Sequence, residues 1–469
     1  MLLAAAAVFI GSQACRPCHT AISDAYSRSA MARSSGPVTS LEEVRFTAAG
    51  HRYRIAGKQL YFDSGRGETA VSIDYFIGSM AAGRSLLTFR DRYLYELPVT
   101  WYSRKQLWDA SPGYEHETEV KLNRAVEPSC LSCHASRVRP IVNTQNRYGD
   151  PPFLENGIGC ERCHGPGSEH VRDPEHAAMI NPAKLAAARR DSVCSQCHLT
   201  GDARIERAGR RVVDFRPGDL LSDYATYFVK PRAPGDLKVT SHVEKLQSSR
   251  CKRASGDKLW CGTCHDPHDE SRTAAMTQAA CTGCHRDAHH QHEACATCHM
   301  PKSKTVDGGH GVLTDHGIST GAAEVRDVTV LLGIGDDRAL GLAYAELGDA
   351  RAREYLLRAK PADADVRLRL ATLEPDPSRA AALYRSVLQE KPAQTVALVN
   401  LGGIYARAGR YEEAATLWER ALEANPAIEE AALNLAQIRP VDQARAILRR
   451  YLDFNPDSGA ARRRLEQNR

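Results

Sequence analysis

Seven short stretches of the sequence carry the pattern Cys-x-x-Cys-His, in which two residues separate a pair of thiols and an imidazole follows at once. Two thiols at this spacing can add across the two vinyl groups of one porphyrin, and the histidine is then carried beneath the ring as the proximal iron ligand. The sequence therefore predicts seven covalently bound haem c groups. Their binding residues are Cys15, Cys18 and His19; Cys130, Cys133 and His134; Cys160, Cys163 and His164; Cys194, Cys197 and His198; Cys261, Cys264 and His265; Cys281, Cys284 and His285; and Cys295, Cys298 and His299.

Paired cysteines also build zinc sites and disulfides, so both alternatives need an answer. Neither requires a histidine directly after the second cysteine, yet all seven pairs have one although histidine makes up only 18 of the 469 residues. The seven motifs use fourteen of the fifteen cysteines and leave only Cys251. A disulfide framework is excluded by this count, haem is favoured over zinc, and Cys251 is expected to be a lone thiol.

Composition and charge restrict the class of protein further. The polypeptide has a formal charge of +5 at neutral pH and is 42% hydrophobic and 25% charged, which is ordinary for a folded soluble protein. Each ferric haem with two neutral ligands would add about −1 through its propionates and each ferrous haem about −2, so the haem-loaded protein would carry about −2 to −9. This charge gives no support to nucleic-acid binding.

Covalent haem attachment takes place outside the cytoplasmic membrane, so we expect a periplasmic or extracellular protein. Residues 1–10 are apolar but short and lack a basic segment before them. They can be interpreted as the remnant of a signal peptide, or their last residues as the start of the folded domain. No other segment is long and apolar enough to predict a transmembrane helix.

The motifs lie within residues 11–320, for which we expect a multihaem cytochrome fold of short helices and loops around stacked haems. Between the first and second motifs, residues from about 43 to 100 form short alternating runs broken by glycine, which predicts a small β-meander insert. An aromatic stretch from Trp101 to Tyr114 follows it. This stretch is interpreted either as packing against a haem edge or as a surface for a substrate or partner.

Residues 321–469 contain neither cysteine nor histidine, which indicates a domain boundary. Leu398, Gly402, Tyr405, Trp418 and Pro426 fall on the spacings of one tetratricopeptide repeat (TPR), and looser copies flank it. We therefore predict an all-α, TPR-like solenoid that is separable from the haem domain; the alternative is a generic helical bundle. Such a domain would serve partner docking or self-association.

Eleven histidines outside the motifs are candidates for the distal iron ligands. A short link cannot reach round to the far side of its own ring, so a histidine such as His268, three residues after His265, must serve a neighbouring haem if it is a ligand. The predicted distal ligands are His170, His242, His268, His292, His310 and His316. His292 represents a cluster with His289 and His290, and for His51, His116 and His176 a surface or propionate-bonding role is favoured.

The haem part resembles the multihaem cytochrome c superfamily that includes the tetrahaem cytochrome c-554 type, pentahaem nitrite reductases and octahaem hydroxylamine oxidoreductases. The resemblance covers roughly residues 11–320 and implies that His170, His268 and His316 are distal ligands. It rests on Cys160-Glu-Arg-Cys-His164-Gly-Pro-Gly with His170, on Cys264-His265-Asp-Pro-His268, and on Cys298-His299-Met300-Pro301.

The sequence departs from these relatives at two places. It has no Cys-x-x-Cys-Lys motif, so the lysine-ligated catalytic haem of the nitrite reductases is missing. Related chains often carry Ser-x-His on the helix after the first motif, whereas this chain has Ser29-Ala30-Met31. Met31 is therefore a candidate thioether ligand, which would raise the potential of its haem, and its alternative is ordinary packing.

These observations predict a seven-haem electron-transfer protein whose repeat domain docks a redox partner protein. The alternative is a multihaem reductase or oxidase of small nitrogen or sulfur compounds at one five-coordinate haem, and a third is a repeat scaffold with structural haems. An electron carrier is favoured over an enzyme, and no catalytic residue is assigned.

Overall fold

Strand pairing dominates the stretch between the first two Cys-x-x-Cys-His motifs. The computed structural model describes residues 8–63, 67–231, 236–286, 294–318 and 327–467. The strands of this stretch are β1 (Ser35–Pro37), β2 (Leu41–Ala48), β3 (His51–Gly57), β4 (Gln59–Asp63), β5 (Glu68–Ser72), β6 (Tyr75–Ile77), β7 (Gly83–Arg90), β8 (Tyr93–Tyr102), β9 (Leu107–Ala110) and β10 (Arg124–Ala125).

Two antiparallel sheets are built from these strands. Strands β2 to β5 pair in sequence order as a meander, and a larger sheet has the order β1-β6-β7-β8-β10 with β9 also paired to β8. The side chains of Ile55, Leu60, Leu86 and Leu97 are fully buried in one shared hydrophobic cluster. The two sheets therefore share one core made of aliphatic and aromatic side chains.

The Cys-x-x-Cys-His motifs lie in or beside short helices. The helices of this part are α1 (Thr20–Tyr26), α2 (Pro128–Leu131), α3 (Glu161–His164), α4 (Ser168–Arg172), α5 (Ala187–His198), α6 (His242–Ser248), α7 (Arg250–Ser255), α8 (Cys261–Cys264), α9 (Thr273–Cys284) and α10 (Cys295–His299). Small sheets connect them. Their strands are β11 (Ser136–Pro140), β12 (Tyr148–Glu155), β13 (Ala203–Glu206), β14 (Ala225–Val229), β15 (Lys302–Lys304), β16 (Val312–Thr314) and β17 (Thr329–Leu332).

The C-terminal part consists of antiparallel helix pairs. Its helices are α11 (Asp337–Leu347), α12 (Ala352–Arg358), α13 (Ala364–Leu373), α14 (Pro377–Glu390), α15 (Thr395–Arg407), α16 (Tyr411–Ala424), α17 (Glu429–Ile438), α18 (Val441–Phe454) and α19 (Gly459–Gln467). Gly402 of α15 faces the indole of Trp418 in α16 so closely that a Cβ atom there would lie 2.6 Å from the indole nitrogen. The small residue therefore permits the close approach of the two helices.

The C-terminal part contacts the motif-bearing part at both ends of the helical array. At the first end, β17 pairs with β14, and Ile205 and Phe228 share a buried cluster with Leu342 of α11. At the far end, Tyr93 and Tyr95 of β8 share a cluster with Ala427 and Phe454. The prediction that residues 321–469 are separable from the haem domain therefore has to allow for these buried contacts.

The predicted fold class is confirmed: short helices and strands form the N-terminal part, and a TPR-like helical array forms the C-terminal part. The strand-rich region is larger than the meander predicted for residues of about 43–100. It starts with Ser35 in β1 and ends with β10, because β9 and β10 return to pair with β8. These added strands are too short for an alternating pattern to be visible in the sequence.

Candidate haem centres

In motifs four to seven, both cysteines lie within one helix and on the same side of it. In α8 and α10, for example, Cys261 and Cys264, or Cys295 and Cys298, are three residues apart within the helix. Residues at this spacing lie on the same face of a helix. The histidine follows at or just after the helix end, so thiols and imidazole are displayed together, as the attachment chemistry requires.

Three motif histidines face a histidine from a different part of the chain. His19 pairs with His170 at 6.4 Å between ring centres, His164 with His268 at 5.8 Å, and His265 with His316 at 6.2 Å. The ring planes of each pair are within 22° of parallel. In every pair the second histidine follows one motif in the sequence but faces the histidine of a different motif.

The separations fit a metal ion held between two imidazoles. Metal–imidazole bonds of about 2.0–2.1 Å on opposite sides, with roughly 1.1 Å from nitrogen to ring centre, place two ring centres about 6 Å apart. The three observed separations lie between 5.8 and 6.4 Å. These histidines would therefore be able to hold a haem iron between them.

Hydrogen bonds select the nitrogen that is free to bind. Nδ1 of His164 lies 2.7 Å from the carbonyl oxygen of Ile180, and Nδ1 of His170 lies 2.8 Å from that of Ala177. Nδ1 of His316 lies 3.0 Å from the carbonyl oxygen of Thr314. A carbonyl only accepts, so each Nδ1 carries the proton and Nε2 keeps its lone pair for a metal.

His242 lies between two other histidines. Its ring centre is 5.3 Å from that of His198, the fourth motif histidine, and 4.9 Å from that of His316. Burial, together with the neighbouring His198 and His316, lowers the pKa of His242 to about 3, and burial lowers the pKa of His134 to about 4. Both imidazoles are therefore neutral at physiological pH, which is the form that binds a metal.

Unpaired nitrogens give a further test of fit. The Nδ1 atoms of His134 and His242 and the Nε atom of Arg162 are buried without a hydrogen-bond partner. Unsatisfied buried polar atoms are costly, so they indicate a group with which these side chains would interact. The donor set of paired thiols, imidazoles and arginine is the one that suits a haem and its propionates.

Thiols of different motifs lie close enough to influence one another electrostatically. The thiol of Cys15 interacts with that of Cys160, which joins motifs one and three. The remaining contacts join motifs two and four, four and five, and six and seven. Their pairs are Cys133 with Cys197, Cys194 with Cys261, and Cys281 with Cys295. Cysteines of different motifs are thus neighbours in the structure.

His310 lies in a different environment from the other predicted ligands. Its Nε2 is 2.6 Å from a carboxylate oxygen of Asp109, its Nδ1 is 3.3 Å from the ammonium of Lys105, and its ring contacts Tyr102 edge to face. Both ring nitrogens are engaged. This geometry argues against the prediction that His310 is a haem ligand.

The other candidate histidines include His116, which is exposed. His292 lies outside the described residues, as do His289 and His290. His51 contacts the carbonyl oxygen of Glu117, and the exposed His176 contacts Asp173. His51 is half-buried and His176 is exposed, and a surface or propionate-bonding role stays the prediction for both.

Met31 and Cys251 are both half-buried. The hydroxyl of Ser34 lies 2.8 Å from the carbonyl oxygen of Met31 and 2.9 Å from that of His134. The backbone of Met31 is thereby held beside motif two. The thiol of Cys251 lies outside every Cys-x-x-Cys-His motif.

Two residues inside motif three have roles that the motif pattern did not reveal. The buried carboxylate of Glu161 accepts hydrogen bonds from the backbone N–H groups of Ile10, Gly11 and Gly167. Arg162 donates to the carbonyl oxygen of Ser132 in motif two. The sequence hints at these hydrogen bonds only through the two charged residues, Glu and Arg, that stand between the cysteines of this motif.

Two segments of the chain match known families. Residues 101–165, which include motifs two and three, match the family described as cytochrome c554 and c-prime. Residues 373–438 match the tetratricopeptide repeat family. The two matches confirm the resemblance drawn from the motifs, with a multihaem cytochrome part of the c554 type and a TPR part. A cytochrome of this class carries covalently bound haem c and serves electron transfer.

Comparison with solved structures gave matches to both parts, whereas no curated protein sequence matched. The outer cell wall cytochrome OcwA is 14% identical, with 89% of this chain and 99% of that chain covered at a TM-score of 0.40. A MamA mutant is 23% identical, with 28% of this chain and 83% of that chain covered at a TM-score of 0.25. Another MamA structure is 23% identical, with 28% and 78% covered at a TM-score of 0.26.

Among the described residues, no helix is both long enough and apolar enough to span a bilayer.

Proposed function

We propose that the protein is an exported electron-transfer protein in which seven haem c groups, one for each Cys-x-x-Cys-His motif, form a continuous conductor. The observation that carries the proposal is the set of near-parallel histidine pairs His19–His170, His164–His268 and His265–His316. Bis-histidine coordination suits electron transfer because both axial positions of the iron are filled. His242 is the proposed ligand opposite His198, and His292 is proposed to serve one further haem.

The sharing of ligands between motifs supports a contiguous arrangement. His170 follows motif three but faces motif one, and His268 follows motif five but faces motif three. The thiol contacts add links between motifs two and four, four and five, and six and seven. Several chain segments therefore carry one motif and place a histidine or a thiol beside another. Haems at neighbouring motifs would thus be held close together.

The location and partners follow from the same chemistry. Haem c is attached outside the cytoplasmic membrane, which supports a periplasmic or extracellular site of action. The TPR part supports interaction with a protein, because stacked helix pairs expose a long surface. We propose a redox partner protein as the occupant of that surface.

A matched pair of histidine variants tests the ligand assignment. We expect His170→Ala to convert one haem to the high-spin state and to let it bind cyanide, because one axial position of the motif-one iron is opened. His176→Ala is the control, since His176 lies six residues further on and its ring contacts Asp173 at the surface. The measurements are electron paramagnetic resonance and a stoichiometric reductive titration, which should take up seven electrons in the wild type. A His170→Ala protein with an unchanged spin state would contradict the proposal.

A second candidate function is supported by the surroundings of motif two. Among the described residues, no second histidine ring faces His134, although this imidazole is buried. Met31 is held beside it through Ser34. The motif-two haem would then have either a thioether as sixth ligand or an open position. An open position would permit reduction or oxidation of a small nitrogen or sulfur compound.

Variants of Met31 separate the two alternatives at this haem. If the thioether binds, Met31→His should lower the potential of one haem, because imidazole favours ferric iron more than a thioether does. Met31→Ala should then create a high-spin signal that the wild type lacks. If the position is already open, the wild type should show that signal and bind cyanide or nitrite. Unchanged spectra in both variants, with no ligand binding by the wild type, would remove both alternatives.

A further inference from the structure

We propose that one turn of the repeat domain, Glu423–Ala427, positions the motif-two haem through a hydrogen-bond chain from Asn425 to Gln145 to Glu127. The repeat domain then acts on the redox chemistry from within the molecule, in addition to any external partner. The proposal rests on the proposed function only for the presence of a haem at motif two. The contacts that support it are hydrogen bonds among Asn425, Gln145 and Glu127, all of which the structure describes.

The repeat turn contacts both flanks of motif two. Before the motif, Tyr95 pairs with Ala125 across strands β8 and β10, and the Tyr95 hydroxyl donates to the side-chain oxygen of Asn425 at 2.8 Å. After the motif, the backbone N–H of Gln145 donates to the carbonyl oxygen of Ala424 at 3.1 Å. The turn therefore contacts the chain on both sides of motif two: strand β8, which pairs with β10, before it and the loop at Gln145 after it.

The hydrogen-bond chain connects the turn to the motif in three steps. The side-chain N–H of Asn425 donates to Oε1 of Gln145 at 2.9 Å, and Nε2 of Gln145 donates to Oε1 of Glu127 at 2.8 Å. The carbonyl oxygen of Glu127 accepts from the backbone N–H of Cys130 at 3.0 Å. Glu127 is also the N-cap residue of α2, the helix that carries Cys130.

Asn425 has little freedom to move. It is 5% exposed, and its oxygen accepts from the Tyr95 hydroxyl and from the backbone N–H of Ala427. Its amide group donates to Gln145, so both ends of the side chain are fixed. A buried amide with satisfied partners is rigid, and a rigid amide can set the orientation of the next side chain.

The orientation of Glu127 has an electrostatic consequence at motif two. A carboxylate near a haem favours ferric iron and lowers its potential, and a hydrogen bond donated to that carboxylate weakens the effect. Gln145 donates this bond and is itself held by Asn425 and by Ala424. Breaking the chain should therefore lower the potential of this haem, whereas removing the Glu127 charge should raise it.

Asn425→Asp isolates the first step of the chain. The new carboxylate can still accept from Tyr95 and Ala427, but it has no N–H to donate to Oε1 of Gln145. Turning the NH2 group of Gln145 toward this carboxylate would take that group away from Glu127. We expect one haem potential to fall by up to about tenfold in the ferric–ferrous equilibrium, which is about 59 mV for one electron. Asn400→Asp is the control, because the amide of Asn400 donates to Tyr384 within the repeat domain.

Further variants test whether the effect travels through Gln145. Gln145→Ala should lower the same potential, Glu127→Gln should raise it, and the double variant Asn425→Asp/Gln145→Ala should shift it no further than Gln145→Ala alone. Should Asn425→Asp fail to fold, Gln145→Ala and Glu127→Gln carry the test through their opposite signs. Potentiometric titration of all the haems, with haem content measured by mass, gives every readout.

Two results would overturn the proposal. One is a folded Asn425→Asp protein with every haem potential unchanged. The other is a double variant whose potential shift equals the sum of the shifts of Asn425→Asp and Gln145→Ala. A wild type that lacks a haem at motif two would instead contradict the proposed function. The haem content of the wild type therefore distinguishes the two failures.

Discussion

The helices that carry the last motifs and the helices of the repeat domain are stabilised in different ways. Among the described residues, α8, α9 and α10 bury none of their side chains. In the repeat domain, α15 and α16 bury aliphatic and aromatic side chains such as Leu401, Tyr405 and Trp418. The repeat helices have a core made of protein, whereas the motif helices need another apolar surface, which porphyrin rings would supply.

This difference determines which property of a residue matters most in each region. In the repeat domain the free energy of unfolding depends on side-chain volume, so a single methyl group added to the packed core lowers stability. In the motif region it depends on the thiols and imidazoles that hold the cofactor, so chemistry matters more than volume. The two regions meet at β14 and β17 and at β8, where both kinds of stabilisation are needed.

The largest expected effect is the loss of the whole repeat domain. A fragment of residues 1–318 lacks β17 and exposes Phe228 and Tyr95, which are 0% and 1% accessible in the full chain. We expect it to lose stability on the scale of an entire domain, about 5–15 kcal/mol, and to lose haem. Yield, haem content and urea unfolding measure the effect.

A slightly longer fragment is the control for this truncation. Residues 1–335 retain β17 and its pairing with Tyr227 and Phe228, but not the helices. We expect partial recovery of solubility without recovery of the contacts at Tyr93 and Tyr95. A 1–318 fragment with the full haem spectrum and unchanged unfolding would show that the two regions are independent after all.

An intermediate effect is expected from the cysteines. The double variant Cys194→Ser/Cys197→Ser should lose one haem, because serine hydroxyls do not form thioether bonds with the vinyl groups. Cys251→Ser is the matched control and should keep the full haem content, since it lies outside every motif. Mass spectrometry counts the haems, and loss of a haem in the control would contradict the assignment of Cys251.

A smaller effect, of opposite sign at neighbouring positions, is expected in the repeat core. The Cβ atom of Gly402→Ala would lie 2.6 Å from the indole nitrogen of Trp418, so the ring must shift at a cost of about 1–3 kcal/mol. At Gly403 the nearest atom is a flexible guanidinium nitrogen of Arg407 at 3.5 Å. Gly403→Ala should therefore stabilise the helix by about 0.5–1 kcal/mol. Far-ultraviolet circular dichroism during urea unfolding measures both, and equal effects would contradict this packing.

The sequence predicted most of the chemistry and less of the assembly. The motif spacing is local, so the cysteines and proximal histidines could be predicted residue by residue. The short links after His164 and His265 also indicated that His170 and His268 face other motifs, and the structure places both rings in such pairs. His310 was assigned from its position after the last motif, but its contact with Asp109 joins residues about 200 positions apart, which no local pattern indicates.

The smallest expected effect comes from a single hydroxyl where the two regions meet. Tyr95→Phe removes the bond to Asn425, whose oxygen keeps the N–H of Ala427 as a partner, so we expect a loss of about 0.5–1.5 kcal/mol. Tyr411→Phe, at an exposed tyrosine of the repeat domain, is the control and should change stability by less than about 0.5 kcal/mol. Because Tyr95 borders the strand that leads into motif two, its loss should also affect the haem potential that Asn425→Asp lowers. If Tyr95→Phe changed stability but left every potential unchanged, the contact at this turn would be purely structural, and the effect of Asn425→Asp would have to pass through Gln145 alone.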